Sequence, residues 1–273
     1  MFNLEDSINT FIGNFNPLNI ASTMEILDRL EKYKKLDLKR ISDKELFDLT
    51  LKTIPCCNVI WRNYKEGLQF FRVRKLEEDA YLYSKDLIYP PKKYVKVRGK
   101  LNDIRESMLY VSRDQVTPFY EVKAKVGERY AMIGYEVVQG ENIQATVIGL
   151  NNSYSNEMKL NEQGNINSRI IEQFFYTEFT KDVGKGTEHL YRTSTMLAKN
   201  FFDVPNCDAY EYPSVAINRN INLAIKPQAV DKKLKIISVE NIEITGMDER
   251  NIKFNRISTA QSITSGKIEY KKF

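Results

Sequence analysis

The sequence predicts an α+β protein, and three features of its patterning carry that prediction. Apolar residues recur at helical spacing over roughly the first 60 positions. After Gly67 the texture changes to short β-rich runs separated by turn residues. Helical patterns then return among the strands without the regular alternation that builds a parallel α/β sheet. Neither GxGxxG nor GxxxxGK[ST] occurs, so no Rossmann or P-loop phosphate cradle is signalled.

Residues 20–36 (IASTMEILDRLEKYKKL) set Ile20, Met24, Ile26, Leu27, Leu30 and Tyr33 at mostly helical spacing, with Ser22 and Thr23 as caps. Ser42-Asp43 followed by KELFDLTLKTI predicts a second helix that ends at Pro55. Together they make 1–65 a helical N-terminal extension. LQFFRVR (68–74) alternates as a strand with Arg72 and Arg74 on one side. Pro90-Pro91, Gly99 and many charges make 75–107 a long irregular connection. SMLYVS (107–112) then reads as a buried strand, and DQVTPFYEV (114–122) as a short helix begun by Asp114, with Pro118 tolerated in its first turn.

Strands are expected over 129–138 and 142–150, followed by an Asn- and Gly-rich loop over 151–166. NSRIIEQFFYTEFTKD (167–182) predicts an amphipathic helix whose apolar face is Ile170, Ile171, Phe174, Phe175 and Phe179. A further helix is expected over 186–203, with Thr187 as a cap. Strands over 208–215 and 221–227 and a final strand or pair over 234–245 complete the reading.

Composition narrows the function classes. The 41 Lys and Arg exceed the 36 Asp and Glu by five, and they are scattered among the acids. A nucleic-acid binder gathers its basic residues on one face, so no nucleic-acid partner is expected; the excess suits a pyrophosphate-bearing small molecule equally well. Cys56 and Cys57 are neighbours and Cys207 lies far away, which fits a reducing compartment better than a disulfide framework. No Cys/His spacing suggests zinc, and a single histidine, His189, leaves little from which to build a metal site. The start, MFNLEDSINTFIGNFNPLN, has no basic segment leading into an apolar run, and no stretch approaches the roughly 18 apolar residues of a membrane span. A cytoplasmic protein with no membrane partner is therefore expected.

Four short blocks, in order, carry a resemblance. They are FFRVR (70–74); YPP (89–91) leading to RGKLN (98–102); LYVSRDQVTPFYEVK (109–123); and YEYPSVAINRNINLAIKP (210–227). Their order and gaps resemble the RES family, named for its arginine, glutamate and serine. The resemblance covers 66–228, leaving 1–65 ahead of it and 229–273 as a C-terminal β extension packed on it. It implies an ADP-ribosyltransferase-like mixed β core with flanking helices. It implies chemistry on NAD⁺ as substrate: phosphorolysis with inorganic phosphate, hydrolysis, or transfer of ADP-ribose to a protein, with no metal. Many RES proteins are toxins neutralised by an antitoxin, so a helix-turn-helix type antitoxin is an implied partner.

The resemblance also assigns residues. Cleaving the nicotinamide–ribose bond builds positive charge at the ribose, and a carboxylate beside it supplies the stabilising field; Glu121 matches the family glutamate. Arg72 matches the family arginine and is assigned to the pyrophosphate or an attacking phosphate, with Arg74 in support, because guanidinium binds phosphate oxygens in bidentate fashion. Ser214 matches the family serine, as a hydrogen-bonding partner of the glutamate or the ribose; no GxSxG elbow makes it a nucleophile. Tyr110 offers a ring to stack on nicotinamide and a hydroxyl to anchor it, and Asn222 a brace for a strand or loop. Lys100 departs from the family arginine, keeping the charge without the planar fork, and Arg98 is an alternative donor there. Each residue also has an ordinary reading: a surface ion pair for Glu121, solvent-facing arginines, a half-buried Tyr110, a solvated Lys100. His189 matches no block and reads as structural.

Three functions stay open: an NAD⁺ phosphorylase or glycohydrolase, a protein ADP-ribosyltransferase, and an interaction module that binds a nucleotide without turnover. The N-terminal helices could cap the domain, pair two copies into a homodimer or receive an inhibitor.

Overall fold

A computed structural model describes residues 16–54, 57, 59–77, 83–150, 160–217, 219–248, 250–264 and 266–273. In chain order the described elements begin with α1 (Pro17–Ile20), α2 (Thr23–Lys34), α3 (Asp43–Thr53), β1 (Ile60–Lys65), β2 (Gln69–Lys75) and β3 (Leu109–Ser112). They continue with α4 (Thr117–Glu121), β4 (Arg129–Val137), β5 (Asn142–Val147), α5 (Glu162–Phe179) and α6 (Tyr191–Leu197), which runs into a π-helical turn, Ala198–Phe202. The last are β6 (Ala209–Pro213), β7 (Ile221–Ile225), α7 (Pro227–Lys233), β8 (Leu234–Asp248), β9 (Asn251–Thr264) and β10 (Lys267–Lys272). The architecture is mixed, with helices first and a single sheet, as an α+β sequence predicts. Pro55 and Cys56 lie outside the described residues; Cys57 is partly exposed.

The chain divides into two compact units, Met1–Ile60 with Ile148–Asp203 and Trp61–Val147 with Val204–Phe273. The first is helical. Ser42 caps α3 through a reciprocal pair with Glu45: the Glu45 N–H donates to Ser42 Oγ at 3.2 Å and the Ser42 N–H to Glu45 Oε2 at 3.0 Å. Its apolar faces meet around Tyr33 and Phe174, whose rings cross edge to face at 5.6 Å, and Phe175 repeats that geometry with Phe202 at 5.1 Å. Arg192 is held by the carbonyls of Leu38 (2.6 Å) and Ile41 (2.7 Å) and by Asp43, fixing the α2–α3 turn to α6.

α5 begins five residues earlier than the apolar pattern does. Asn161, which reads as a loop residue, is its N-cap and accepts from the Gly164 N–H at 2.7 Å. Gly149 lies against this helix with φ +64°, and a Cβ there would stand 2.8 Å from the Tyr176 backbone. The unit therefore requires glycine at the point where chain and helix touch.

The second unit is built on a ten-stranded sheet in the order β1-β5-β6-β7-β3-β2-β4-β8-β9-β10. β5 runs parallel to β6; the other pairings with a described register are antiparallel. β1 and α7 are elements that the sequence patterning did not predict. The register sorts side chains onto two faces. Phe70, Arg72, Ile133, Val239, Glu211 and Leu223 share one face, and Phe71, Ser112, Asn222 and Tyr212 share the other. The first face carries the larger core, including Phe70, Leu109, Ile133, Tyr135, Leu223 and Ile225. A smaller core on the second face joins Phe119 of α4 to Val73, Tyr130, Met132, Ile242 and Ile244. Burying Phe119, which is 1% exposed, seats α4 on the sheet and so sets the position of Glu121 two residues later. No helix among the described residues is long and apolar enough to cross a membrane.

Candidate functional site

α4 is short, and its start is fixed by one carboxylate. Asp114 Oδ1 accepts from the N–H groups of Val116 (2.9 Å) and Thr117 (2.8 Å), and Oδ2 accepts from Thr117 Oγ1 at 2.6 Å. Asp114 thus organises the helix entry from three residues ahead of it. Asn220, on the β6–β7 turn, donates to Thr117 Oγ1 at 2.6 Å and to Asp114 Oδ2 at 3.2 Å, locking helix and turn together. At the other end of α4, Tyr120 donates to the carbonyl of Asp248, and Lys123 turns the chain away with φ +53°.

Glu121 stands at this fixed C-terminus, and three donors converge on one of its oxygens. Oε1 accepts from Ser214 Oγ at 2.6 Å, from Asn222 Nδ2 at 2.6 Å and from the Val215 N–H at 3.2 Å. Ser214 is itself held, because its hydroxyl oxygen accepts from the N–H groups of Ala216 (3.2 Å) and Ile217 (3.1 Å). Asn222 is oriented by Ser112 Oγ, which donates to Asn222 Oδ1 at 2.6 Å. Ser112, Ser214 and Asn222 are each 3% exposed, whereas Glu121 is only half-buried. Among the described residues Oε2 accepts no hydrogen bond. The carboxylate is therefore anchored through one oxygen and presents the other.

A cavity of about 260 Å³ is lined by Arg72, Arg98, Gly99, Asn102, Glu106 and Tyr110 together with Pro90 and residues 94–97. Tyr110 is one strand repeat from Ser112 on the same face, but Ser112, Glu121, Ser214 and Asn222 do not line this cavity. The Tyr110 hydroxyl donates to Asn102 Oδ1 at 2.7 Å and accepts from the Leu101 N–H at 3.1 Å. It thereby fixes the 98–103 turn rather than pointing free at a ligand. Gly99 is required in that turn, since a Cβ would come within 2.3 Å of Asn102 Oδ1 and 3.1 Å of the Tyr110 hydroxyl. Lys100 is buried, with its ammonium 5.4 Å from the centre of the Tyr212 ring.

Arg72 enters this cavity differently from Tyr110. Its register places it with Phe70 and Ile133, on the face opposite Ser112 and Asn222. β2 and β3 pair at one position only, Phe71 with Ser112, so the strands are not laddered beyond it. The Arg72 guanidinium donates to the carbonyl of Ile88 at 2.8 Å and also bonds the Tyr135 hydroxyl, which burial pushes up to about 12. No carboxylate pairs with Arg72 among the described residues. Arg74 lies two residues on, paired with Asp86 at 3.3 Å and exposed.

Of the residues singled out from sequence, Glu121, Ser214 and Asn222 form one hydrogen-bonded cluster, and Arg72 and Tyr110 share a cavity that none of those three lines. Lys100 packs on Tyr212 and Arg74 forms a separate ion pair. Sequence reasoning placed Asp114 at the start of α4, and its side chain does hold the helix entry. It missed Ser112, Thr117 and Asn220 as structural partners; the Asp-x-x-Thr spacing was the available signal for Thr117. It also missed Glu211, fully buried on the opposite face, which pairs with Arg62 at 2.7 Å and accepts from Tyr64 at 2.5 Å. His189 lies in the 3₁₀ turn Glu188–Leu190 of the helical unit. Among the described residues no three His, Cys, Asp or Glu are grouped to hold a metal ion.

No protein-family model, curated protein or solved structure matches the chain.

Proposed function

We propose that the protein consumes NAD⁺ by cleaving its nicotinamide–ribose bond, as an RES-type enzyme with an ADP-ribosyltransferase-like fold. The observation that carries the proposal is the one-sided anchoring of Glu121. Three donors hold Oε1, and Oε2 is left to face a ligand. A carboxylate fixed in this way needs no reorganisation to stabilise positive charge that develops at a ribose carbon. The four sequence blocks supply the identity of the substrate, and the guanidinium of Arg72, which has no carboxylate partner among the described residues and lines a cavity, suits its pyrophosphate.

The chemistry balances without a further cofactor. The bond from the ribose anomeric carbon to the pyridinium nitrogen breaks, its electron pair neutralises the nitrogen, and nicotinamide leaves uncharged. The ribosyl cation, paired with Glu121, is captured by an oxygen of phosphate, of water or of a protein side chain, and an attacking O–H releases its proton to solvent. Phosphate and water are the leading acceptors. As a toxin-type protein in the cytoplasm, it would be restrained by a helix-turn-helix antitoxin that occludes the site.

A second reading, a nucleotide-binding module without turnover, is favoured by one observation. Arg72 belongs to the opposite sheet face from the residues that orient Glu121. Product analysis separates the readings. Purified protein is incubated with NAD⁺ labelled in the adenylate half, with and without phosphate, and the labelled products are resolved. ADP-ribose phosphate or ADP-ribose is expected, whereas label on protein would replace that proposal with ADP-ribosyl transfer. Bound but intact NAD⁺ would favour the module.

A further inference from the structure

A second cavity, about 320 Å³, is lined by Asp114, Val116, Ile217, Arg219, Asn220 and Arg250. Three segments meet there: the entry to α4, the β6–β7 turn and the β8–β9 turn. It is separate from the Arg72 cavity, with which it shares no lining residue.

Its charged lining is two guanidinium groups and one carboxylate, Asp114. Arg219 and Arg250 have no carboxylate partner among the described residues. The two acids described nearby, Asp114 and Asp248, accept from other donors. Asp114 accepts four hydrogen bonds, from the Val116 and Thr117 N–H groups, Thr117 Oγ1 and Asn220 Nδ2. Asp248 Oδ1 accepts from the N–H groups of Arg250 (3.2 Å) and Asn251 (3.0 Å) and from Asn251 Nδ2 (3.2 Å). Two guanidinium groups therefore share a concave site whose carboxylates are held by other donors.

The backbone that presents the first arginine is also fixed. Arg219 sits at φ +72°, a conformation that costs energy for a residue with a Cβ. The turn is held in that shape by the Ser214 N–H on the Asn220 carbonyl (2.8 Å) and the Asn220 N–H on the Ile217 carbonyl (3.1 Å). Neither arginine fills an apolar gap, since both are exposed.

From this geometry we infer that the cavity between α4, the β6–β7 turn and the β8–β9 turn is an anion site that takes a phosphate group through Arg219 and Arg250. Guanidinium forks match phosphate oxygens in paired hydrogen bonds that chloride cannot return, and two guanidinium groups suit the double charge of a phosphate better than the single charge of a carboxylate. The volume accommodates inorganic phosphate or the phosphate end of a phosphomonoester. The inference is independent of NAD⁺ cleavage, and its test reads binding alone.

The test is calorimetric titration of the full chain with inorganic phosphate and, separately, with ribose 5-phosphate, at low ionic strength because both arginines are solvent-screened. Arg219→Asn suits the left-handed backbone while removing the charge, and Arg250→Gln removes the second. Thermal midpoints measured without ligand verify that both variants remain folded. Saturable binding weakened at least tenfold by each substitution, and unchanged in Arg40→Gln, which removes an exposed charge from the helical unit, is the expected result. A phosphate preferred over ribose 5-phosphate identifies the free ion as the ligand, and the reverse order identifies an ester. Binding lost only in Arg72→Gln would place the anion in the other cavity and overturn the inference. No saturable binding of either probe would overturn it as well.

Discussion

Ser214 Oγ lies 2.6 Å from Glu121 Oε1, joining residues 93 positions apart, and the same hydroxyl accepts from the N–H groups of Ala216 and Ile217. The serine thus couples the shape of its own turn to the orientation of the carboxylate. Ser214→Ala removes one donor from Glu121 and leaves two turn N–H groups without their acceptor. Its stability should fall by about 1–3 kcal/mol, the usual cost of stranding a buried polar group. NAD⁺ cleavage should fall by about tenfold as one donor to the carboxylate is lost. Urea denaturation and nicotinamide release measure the two effects. A stability loss with unaltered turnover would reduce Ser214 to a turn residue.

Asn222 offers a sharper probe because its amide can be replaced by a like charge. Asn222→Asp sets a second carboxylate where a donor stood 2.6 Å from Glu121 Oε1. Two carboxylates at that separation cannot both ionise readily, so one pKa rises. If catalysis needs ionised Glu121, the acidic limb of the pH–rate profile should move to higher pH. A uniform loss of rate with no displaced limb would contradict an electrostatic role for Glu121.

Arg72 donates to the Ile88 carbonyl and has no carboxylate partner among the described residues. Arg72→Gln should therefore leave no acid stranded, and its principal effect should be on ligand binding. KM for NAD⁺ is expected to rise at least tenfold, the scale of one charge-assisted contact. Steady-state kinetics decide it, and an unchanged KM would remove Arg72 from the substrate site.

Glu211 supplies a stability prediction independent of function. Burial holds its carboxyl above the ordinary value of 4.5, while Tyr64, Arg62 and Arg113 pull in the other direction. A folded pKa above the unfolded one means that the folded state binds the proton more tightly. That contribution is fully present below 4.5 and is lost as pH rises from there through the folded value. Glu211→Gln has no such proton to lose. The stability of the wild type relative to Glu211→Gln should therefore decline as pH rises above 4.5 through the folded value, as denaturation midpoints would record. A relative stability that climbs over that range would show the ion pair with Arg62 dominating instead.

The parts of the fold legible in the sequence were those set by local chemistry. Ser42 and Asp43 announced the start of a helix, and the Ile171, Phe174, Phe175 and Phe179 stripe announced the buried face of α5. The start of α5 was hidden because Asn161 and Gly164 are loop formers by composition, yet here cap the helix. β1 was hidden because its alternation, Ile60 to Lys65, includes Arg62 and Asn63, and only pairing in the sheet gives it an identity. For the site, the type and order of Glu121, Ser214 and Asn222 were readable, whereas Ser112 and Asn220 act through tertiary hydrogen bonds that no spacing encodes. The sheet face of Arg72 relative to Asn222 depends on register across β2, β3 and β7, which a linear pattern does not contain.

The most direct measurement is single-turnover release of nicotinamide from NAD⁺ by stoichiometric wild-type protein and by Glu121→Gln. Glutamine keeps the shape of the side chain and an acceptor for Ser214 and Asn222 but carries no charge. Wild-type protein should release nicotinamide, and the variant should do so about 10²–10³-fold more slowly, the scale at which a preorganised electrostatic group acts. Equal rates from the two proteins, or no nicotinamide from the wild type with phosphate present, would contradict a charge-stabilising role for Glu121.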